Sequence, residues 1–392
     1  MSFGNYRASW AKNILWAFII FFGFTFAISK ESGSADINRY IQEYAALFGR
    51  PMTMDDAIAY YDQRGELDMA RTVIAVTLSR FSNSPVLITT VYALIFGFFY
   101  SRNVVYLLQQ LQGPLSKWSW LLFIAFALVV PFWLINGFRF WTATHIFIYG
   151  VLPYLYEGKH KKLIFVPLAV LFHFSYLIPL ISVATFFLVP KRLGFLILVF
   201  LGTVVYNEIN VQWLANYVEQ TEEEKIIERA NPYIAQERVE AFRKGELSSG
   251  QVNWYVTWYK KGINYMILAS FLLIYGLQRT KRLLTKPLHT TFAFALWFYS
   301  FANILSTIPS GGRFLSVAQL LALFLILILY QNHYRKLFTR YVFPVSLPVL
   351  LLFIVVAIRE GFYYMSVATV FGNPVTAIIG LGEHLALNDL IK

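Results

Sequence analysis

Residues 163–189 read LIFVPLAVLFHFSYLIPLISVATFFLV, and how this run meets a membrane sets the side on which everything after it lies. It is 27 residues long, with His173, Ser175 and Pro179 near its middle. A membrane span needs about twenty apolar residues. The run therefore fits one long tilted helix or a hairpin of two short helices turning near His173. Working outward, the runs 13–29, 84–101, 118–135, 140–156, 193–208, 262–278, 288–305, 314–330 and 342–358 each have the length and apolarity of a span.

Charge separates the two readings of 163–189. With a cytoplasmic N-terminus and a hairpin, the inner segments hold Arg7 and Lys12, Arg102 and Lys117, Lys159, Lys161 and Lys162, Lys191 and Arg192, Arg279 to Lys286, and Arg335 to Arg340. The only acid among them is Glu157. A single helix there would turn the later basic clusters outward, against the bias that keeps Lys and Arg on cytoplasmic loops. The sequence thus predicts an all-α polytopic membrane protein of about eleven transmembrane helices (within ten to twelve), N-terminus in and C-terminus out. Residues 1–392 read as a single transmembrane domain with an outer loop 30–83, an outer loop 207–261 and a short outer tail 359–392. The second loop is acidic early (Glu222 to Glu224) and basic later (Arg238, Arg243, Lys244), as amphipathic helices over the outer mouth would be.

Composition agrees. The chain is 58% hydrophobic and only 14% charged, where a soluble domain carries roughly a quarter charged residues. Its net charge of +12 would suggest nucleic acid in a soluble protein. Here it follows topology, and no nucleic-acid partner is expected. There is no Cys, so no disulfide and no thiolate metal site. The run from Ile14 to Ile28, after Arg7 and Lys12 and with small Ala27 and Ser29 behind it, could pass for a signal peptide. It reads better as a retained first span.

Few polar groups lie where chemistry is expected. Asn136-Gly137-Phe138-Arg139 joins two spans at the outer face, and its glycine allows a tight turn. Pro309-Ser310-Gly311-Gly312-Arg313 has the same design, with bare backbone N–H groups beside the Arg. A guanidinium forks onto phosphate oxygens and never loses its proton, and a helix N-terminus adds to an anion site. Two such elements facing one compartment suggest a diphosphate site at Arg139 and Arg313, with Arg80 as a third cation. The bland alternative for each is a side chain snorkelling to headgroups. His173 at the hairpin apex is a candidate base near pH 7, or a hydrogen-bonded core His. Asp36 is a second candidate base, or a partner for Arg39. Asp36, Arg39 and Tyr40 stand at i, i+3 and i+4 and share one face if helical. No phosphate-binding loop, HExxH, CxxC or GxSxG occurs. Nothing in the sequence requires a metal or cofactor, and it argues against nucleotide hydrolysis.

The order Asp36-Ile37-Asn38-Arg39-Tyr40, Asn136-Gly137-Phe138-Arg139, Lys159 to Lys162, Leu171-Phe172-His173-Phe174-Ser175 and Gly312-Arg313 resembles the EpsG-like family of polysaccharide polymerases, relatives of the Wzy O-antigen polymerases. The resemblance spans roughly residues 10–340. It implies a GT-C-type glycosyltransferase of the bacterial inner membrane, active at the periplasmic or exterior face without metal. Its substrates would be oligosaccharide repeat units on undecaprenyl diphosphate, as donor and acceptor. A chain-length regulator or flippase would be a natural partner, besides membrane lipids. The implied roles are Asp36 or His173 as catalytic base, Arg139, Arg313 and Arg80 on the diphosphate, and Arg39, Tyr40 and Asn136 as further substrate contacts. A membrane O-acyltransferase acting on glycans is one rival reading, and the outer placement of His173 counts against it. A lipid-linked glycan transporter is another, and the lack of internal repeats counts against that.

Overall fold

The structure is a computed structural model that describes residues 7–32, 36–50, 56, 58, 59, 68–205, 253–281, 284–380 and 385–391. The helices, in chain order, are α1 (Ala11–Phe24), α2 (Asp36–Leu47), α3 (Met69–Leu78), α4 (Pro85–Gln110), α5 (Lys117–Val129), α6 (Phe138–Glu157) and α7 (Phe165–Phe172). They continue as α8 (Leu177–Leu188), α9 (Leu193–Val205), α10 (Trp254–Lys281), α11 (Lys286–Leu305), α12 (Arg313–Leu329), α13 (Arg335–Tyr341) and α14 (Phe343–Gly361). The tail adds α15 (Val367–Phe371), α16 (Pro374–Ile379) and α17 (Leu387–Leu390). Among the described residues there is no strand, only an isolated bridge between Ser366 and Ala386.

Among the described residues, four helical stretches are long and apolar enough to cross a membrane: Pro85–Gln110, Lys117–Glu157, Arg313–Tyr341 and Phe343–Gly361. With shorter apolar helices beside them, the chain is an all-α, multi-pass membrane protein. Helices are what lipid requires, since backbone N–H and C=O groups there must be satisfied within the segment. Every run read as a span overlaps a helix, but those over 262–278 and 288–305, α10 and α11, are not among the four. Some helices are shorter than the runs. α1 has 14 residues, about 21 Å at the α-helical rise, against a hydrocarbon core of about 30 Å.

The run 163–189 is two helices, and the break falls at His173. His173 is extended (φ −151, ψ 117), and its ring accepts the N–H of Ser175 at the head of the next turn. Pro179 does not break α8, because it lies in the first turn, where a missing N–H costs nothing. One expectation needs correcting. The bend between α5 and α6 is not at Asn136-Gly137 but at Val130-Pro131, where Pro131 forces its predecessor out of helical geometry. A 3-10 turn, Phe132–Gly137, then feeds straight into α6. Gly137 is needed for space instead, since a Cβ there would lie 2.8 Å from the Trp141 ring.

The sequence reads as one membrane domain, and by packing the chain falls into two compact units. The first comprises residues 1–154, 159–178 and 354–392, and the second 155–158 and 179–353. In the first, α1 and α4 run antiparallel. Gly23 meets Ala93 and Thr89, Gly97 meets Ile19, and Arg102 donates to the Asn13 side chain at 3.0 Å. Small residues let the two backbones approach closely. α6 runs parallel to α4, with Phe138 stacked on Tyr92 and Tyr149 against Phe99. Arg7, Arg102 and Lys162 therefore gather at one end of this unit. At the opposite end α2 packs on the bundle. It buries Ile37, Tyr40 and Tyr44, spaced by three and four residues, against Ile88, Tyr92 and Phe138.

The tail is not a loose end. α14 finishes at Gly361 against Trp133, and the chain then pairs with the segment leaving α1, Ser29 N–H donating to the Tyr363 carbonyl at 2.8 Å. Ala27 and Ser29 are buried in this contact. In the second unit α12 is buried almost all round, packed by α10 and α11. Tyr299 and Gln319 both donate to the Asn264 side-chain Oδ1 there, at 2.6 and 2.8 Å. Of the outer loop 207–261, residues 254–261 form the first turns of α10. The acidic and basic clusters expected at 222–224 and 238–244 lie outside the described residues.

Candidate functional site

α2 presents its polar edge in one line. Asp36 and Arg39 are paired at 3.5 Å and both side chains are well exposed, so the pair contributes at most about 1 kcal/mol. One turn on, Glu43 is 3.9 Å from Arg39 and also holds Arg71 of α3. Arg71 is only 2% exposed. Its guanidinium lies 4.8 Å from the centre of the Tyr40 ring. A buried guanidinium is tolerable only with its carboxylate in place.

Asp68, the residue before α3, ties three segments together. Its Oδ2 accepts from Arg139 Nη1 at 2.8 Å, and its Oδ1 accepts the backbone N–H of Phe174 at 2.7 Å. Arg139 Nε donates to the Tyr40 hydroxyl at 2.9 Å. Asp68 is 5% exposed and the Arg139 side chain 20% exposed. The fork of Arg139 is thus fixed by two partners but still reaches the surface. Burial pushes the Tyr40 phenol above its ordinary range, an effect that Arg139 partly offsets. Tyr40 therefore stays protonated at neutral pH, accepting from Arg139 while keeping its own O–H. Behind it, Tyr92 is fully buried, and its hydroxyl has no hydrogen-bond partner among the described residues.

His173 borders this cluster, because Phe174 bonds Asp68 and the His173 ring sits edge-on to Phe140 at 5.2 Å. Its Nδ1 accepts the Ser175 N–H at 3.3 Å and faces the Ser175 hydroxyl at 2.8 Å.

The structure brings together Asp36, Arg39, Tyr40, Arg139 and, through its neighbours, His173. Asn136 lies in the 3-10 turn that leads into Arg139. Arg80 is exposed just past the end of α3. Arg313 belongs to the second unit, where it is exposed and opens α12. The bare N–H groups expected beside it need correcting. Those of Gly311, Arg313, Phe314 and Leu315 each donate to a carbonyl three residues back, because the chain approaches α12 through tight turns. Sequence reasoning missed Glu43, Asp68 and Arg71. Glu43 was within reach, since it continues the face of Asp36 and Arg39 by one more turn. Asp68 and Arg71 carry no such signal. Among the described residues no three of His, Asp or Glu converge as metal ligands.

Compared with protein-family models, with curated proteins and with solved structures, the chain matches none.

Proposed function

We propose that the chain is a polysaccharide repeat-unit polymerase, a GT-C-type glycosyltransferase that moves a growing glycan from undecaprenyl diphosphate onto a lipid-linked acceptor. The observation that carries this reading is the Arg139 guanidinium, held by Asp68 and Tyr40 at one end of a membrane bundle and still partly exposed. The leaving group is a diphosphate, and its departure needs charge stabilisation that is in place beforehand. Arg139 supplies it, with Arg80 of the same unit as a further cation. A sugar hydroxyl attacks the anomeric carbon, the bond to the diphosphate oxygen breaks, and the hydroxyl proton passes to a base. That base is Asp36, which is paired with Arg39, or His173, which is bonded to Ser175. Arg39, Tyr40 and Asn136 contact the sugar or its phosphates. The proposed site lies in the bacterial inner membrane, facing away from the cytoplasm.

The topology of eleven spans, N-terminus in and C-terminus out, has independent support. α1 and α14 end side by side, since the segments leaving them pair with one another. Two spans that finish on the same side require an odd number from first to last. Arg7, Arg102 and Lys162 share the other end, as an inward face would.

The test is incubation of purified protein with synthetic undecaprenyl-diphosphate oligosaccharide, without nucleotide sugar and with EDTA present. A ladder of products, lost in Arg139→Ala, is the expected result. Folded protein that makes no ladder from the correct repeat unit would move the O-acyltransferase and transporter readings ahead.

A further inference from the structure

The tail after α14 holds a feature that the proposed reaction does not use. Residues 361–380, GFYYMSVATVFGNPVTAIIG, carry no charged side chain. We infer that this segment is re-entrant: it dips back into the leaflet on the side where α1 ends, and sets Phe371, Val375, Ile378 and Ile379 against lipid acyl chains.

The direction of the chain is read from its partners. In order of distance along the chain from α1, the residues that follow it are Thr25, Ala27 and Ser29. Ser29 N–H donates to the Tyr363 carbonyl at 2.8 Å, Ala27 N–H to Tyr364 at 3.3 Å, and the Thr25 hydroxyl bonds the Thr369 hydroxyl at 2.7 Å. As the tail advances from 363 to 369, its partners step back toward α1. The tail has therefore reversed and runs back toward the end of α1. It also returns to where it left. Val367 N–H donates to the Leu385 carbonyl at 3.2 Å and Leu387 N–H to Met365 at 2.9 Å, while Asp389 accepts from the Ser29 hydroxyl at 2.6 Å.

The surface between these ends is apolar. Phe371 is 80% and Ile379 81% exposed on the protein, with Val375 and Ile378 also well exposed. A contiguous apolar patch of this kind marks an interaction surface, and a segment running back beside a membrane span meets lipid there. The turn is built for that medium, in which backbone polar groups need partners within the protein. Asn373 Oδ1 accepts the N–H groups of Val375 and Thr376, and Thr376 Oγ1 accepts that of Asn373. Pro374 opens α16 without an N–H to satisfy. Ser366 caps α15 in the same way, accepting from Thr369 N–H.

The chain has no Cys, so single-cysteine variants carry one spin label each. Phe371→Cys and Ile379→Cys, at exposed positions, would be compared in phosphatidylcholine–phosphatidylglycerol liposomes with Arg39→Cys and with Leu351→Cys on α14. Labels at 371 and 379 are expected to relax severalfold more with oxygen than with a water-soluble nickel chelate, as at 351, with the reverse at 39. Chelate access at 371 and 379 equal to that at 39 would overturn the inference in favour of a solvated tail. Spin–spin broadening that disappears on dilution with unlabelled protein would overturn it in favour of a second copy of the chain.

Discussion

Two short elements, Asn136 to Arg139 and Pro309 to Arg313, look alike in the sequence and differ in the structure. Each places an Arg at the start of an apolar helix after a glycine. Arg139 is locked by an acid and a phenol from two other segments, Asp68 and Tyr40. Arg313 is exposed, and the chain before it is tight: Ser310 has a positive φ of 61, and a Cβ on Gly311 would lie 1.8 Å from the Leu305 carbonyl oxygen. A cation motif of this kind fixes where a guanidinium starts. Its electrostatic setting comes from residues far along the chain.

That contrast can be broken by substitution. The largest effect is expected for Asp68→Ala. It leaves the Arg139 charge without its carboxylate and Phe174 N–H without its acceptor, and removing one member of a buried pair costs about 3–5 kcal/mol. Thermal unfolding in detergent would register the loss, and polymerisation would fall with it. Gly311→Ala comes next, because its clash is with backbone and cannot be relieved by a rotamer change. Destabilisation of about 1–3 kcal/mol is expected there, while Gly312→Ala, with nothing near its Cβ, is the silent control. Arg313→Ala is expected to leave stability within about 0.5 kcal/mol, as for an ordinary surface substitution. Equal loss of stability in Arg313→Ala and Asp68→Ala would erase the distinction. A comparably small effect, about 0.5 kcal/mol, is expected for Arg39→Ala in a stability assay, since its pairs with Asp36 and Glu43 are largely exposed or long.

Much of the fold was legible because lipid imposes length and polarity rules that a single sequence displays. The break at His173 could be read from two polar side chains inside an otherwise apolar run. The bend at Val130-Pro131 was misplaced to Asn136-Gly137, since glycine permits a turn but proline compels one. The candidate site was half legible. Asp36, Arg39 and Tyr40 share a helical face, so spacing revealed them, and Glu43 lay one turn further on. Asp68 meets Arg139 across 71 residues of chain, and Arg71 meets Glu43 across 28. No local period records such pairings. The reversal of the tail was hidden for the same reason, because it depends on Thr25 meeting Thr369.

The central claim is that Arg139 is held ready for a diphosphate. Its most direct test is equilibrium binding of undecaprenyl diphosphate to the protein in lipid nanodiscs, for wild type, Arg139→Lys and Arg139→Ala. Binding at least about tenfold weaker in the Ala variant, equivalent to 1.4 kcal/mol, with Lys intermediate, is the predicted result. Equal affinity in all three, from folded protein, would contradict the account.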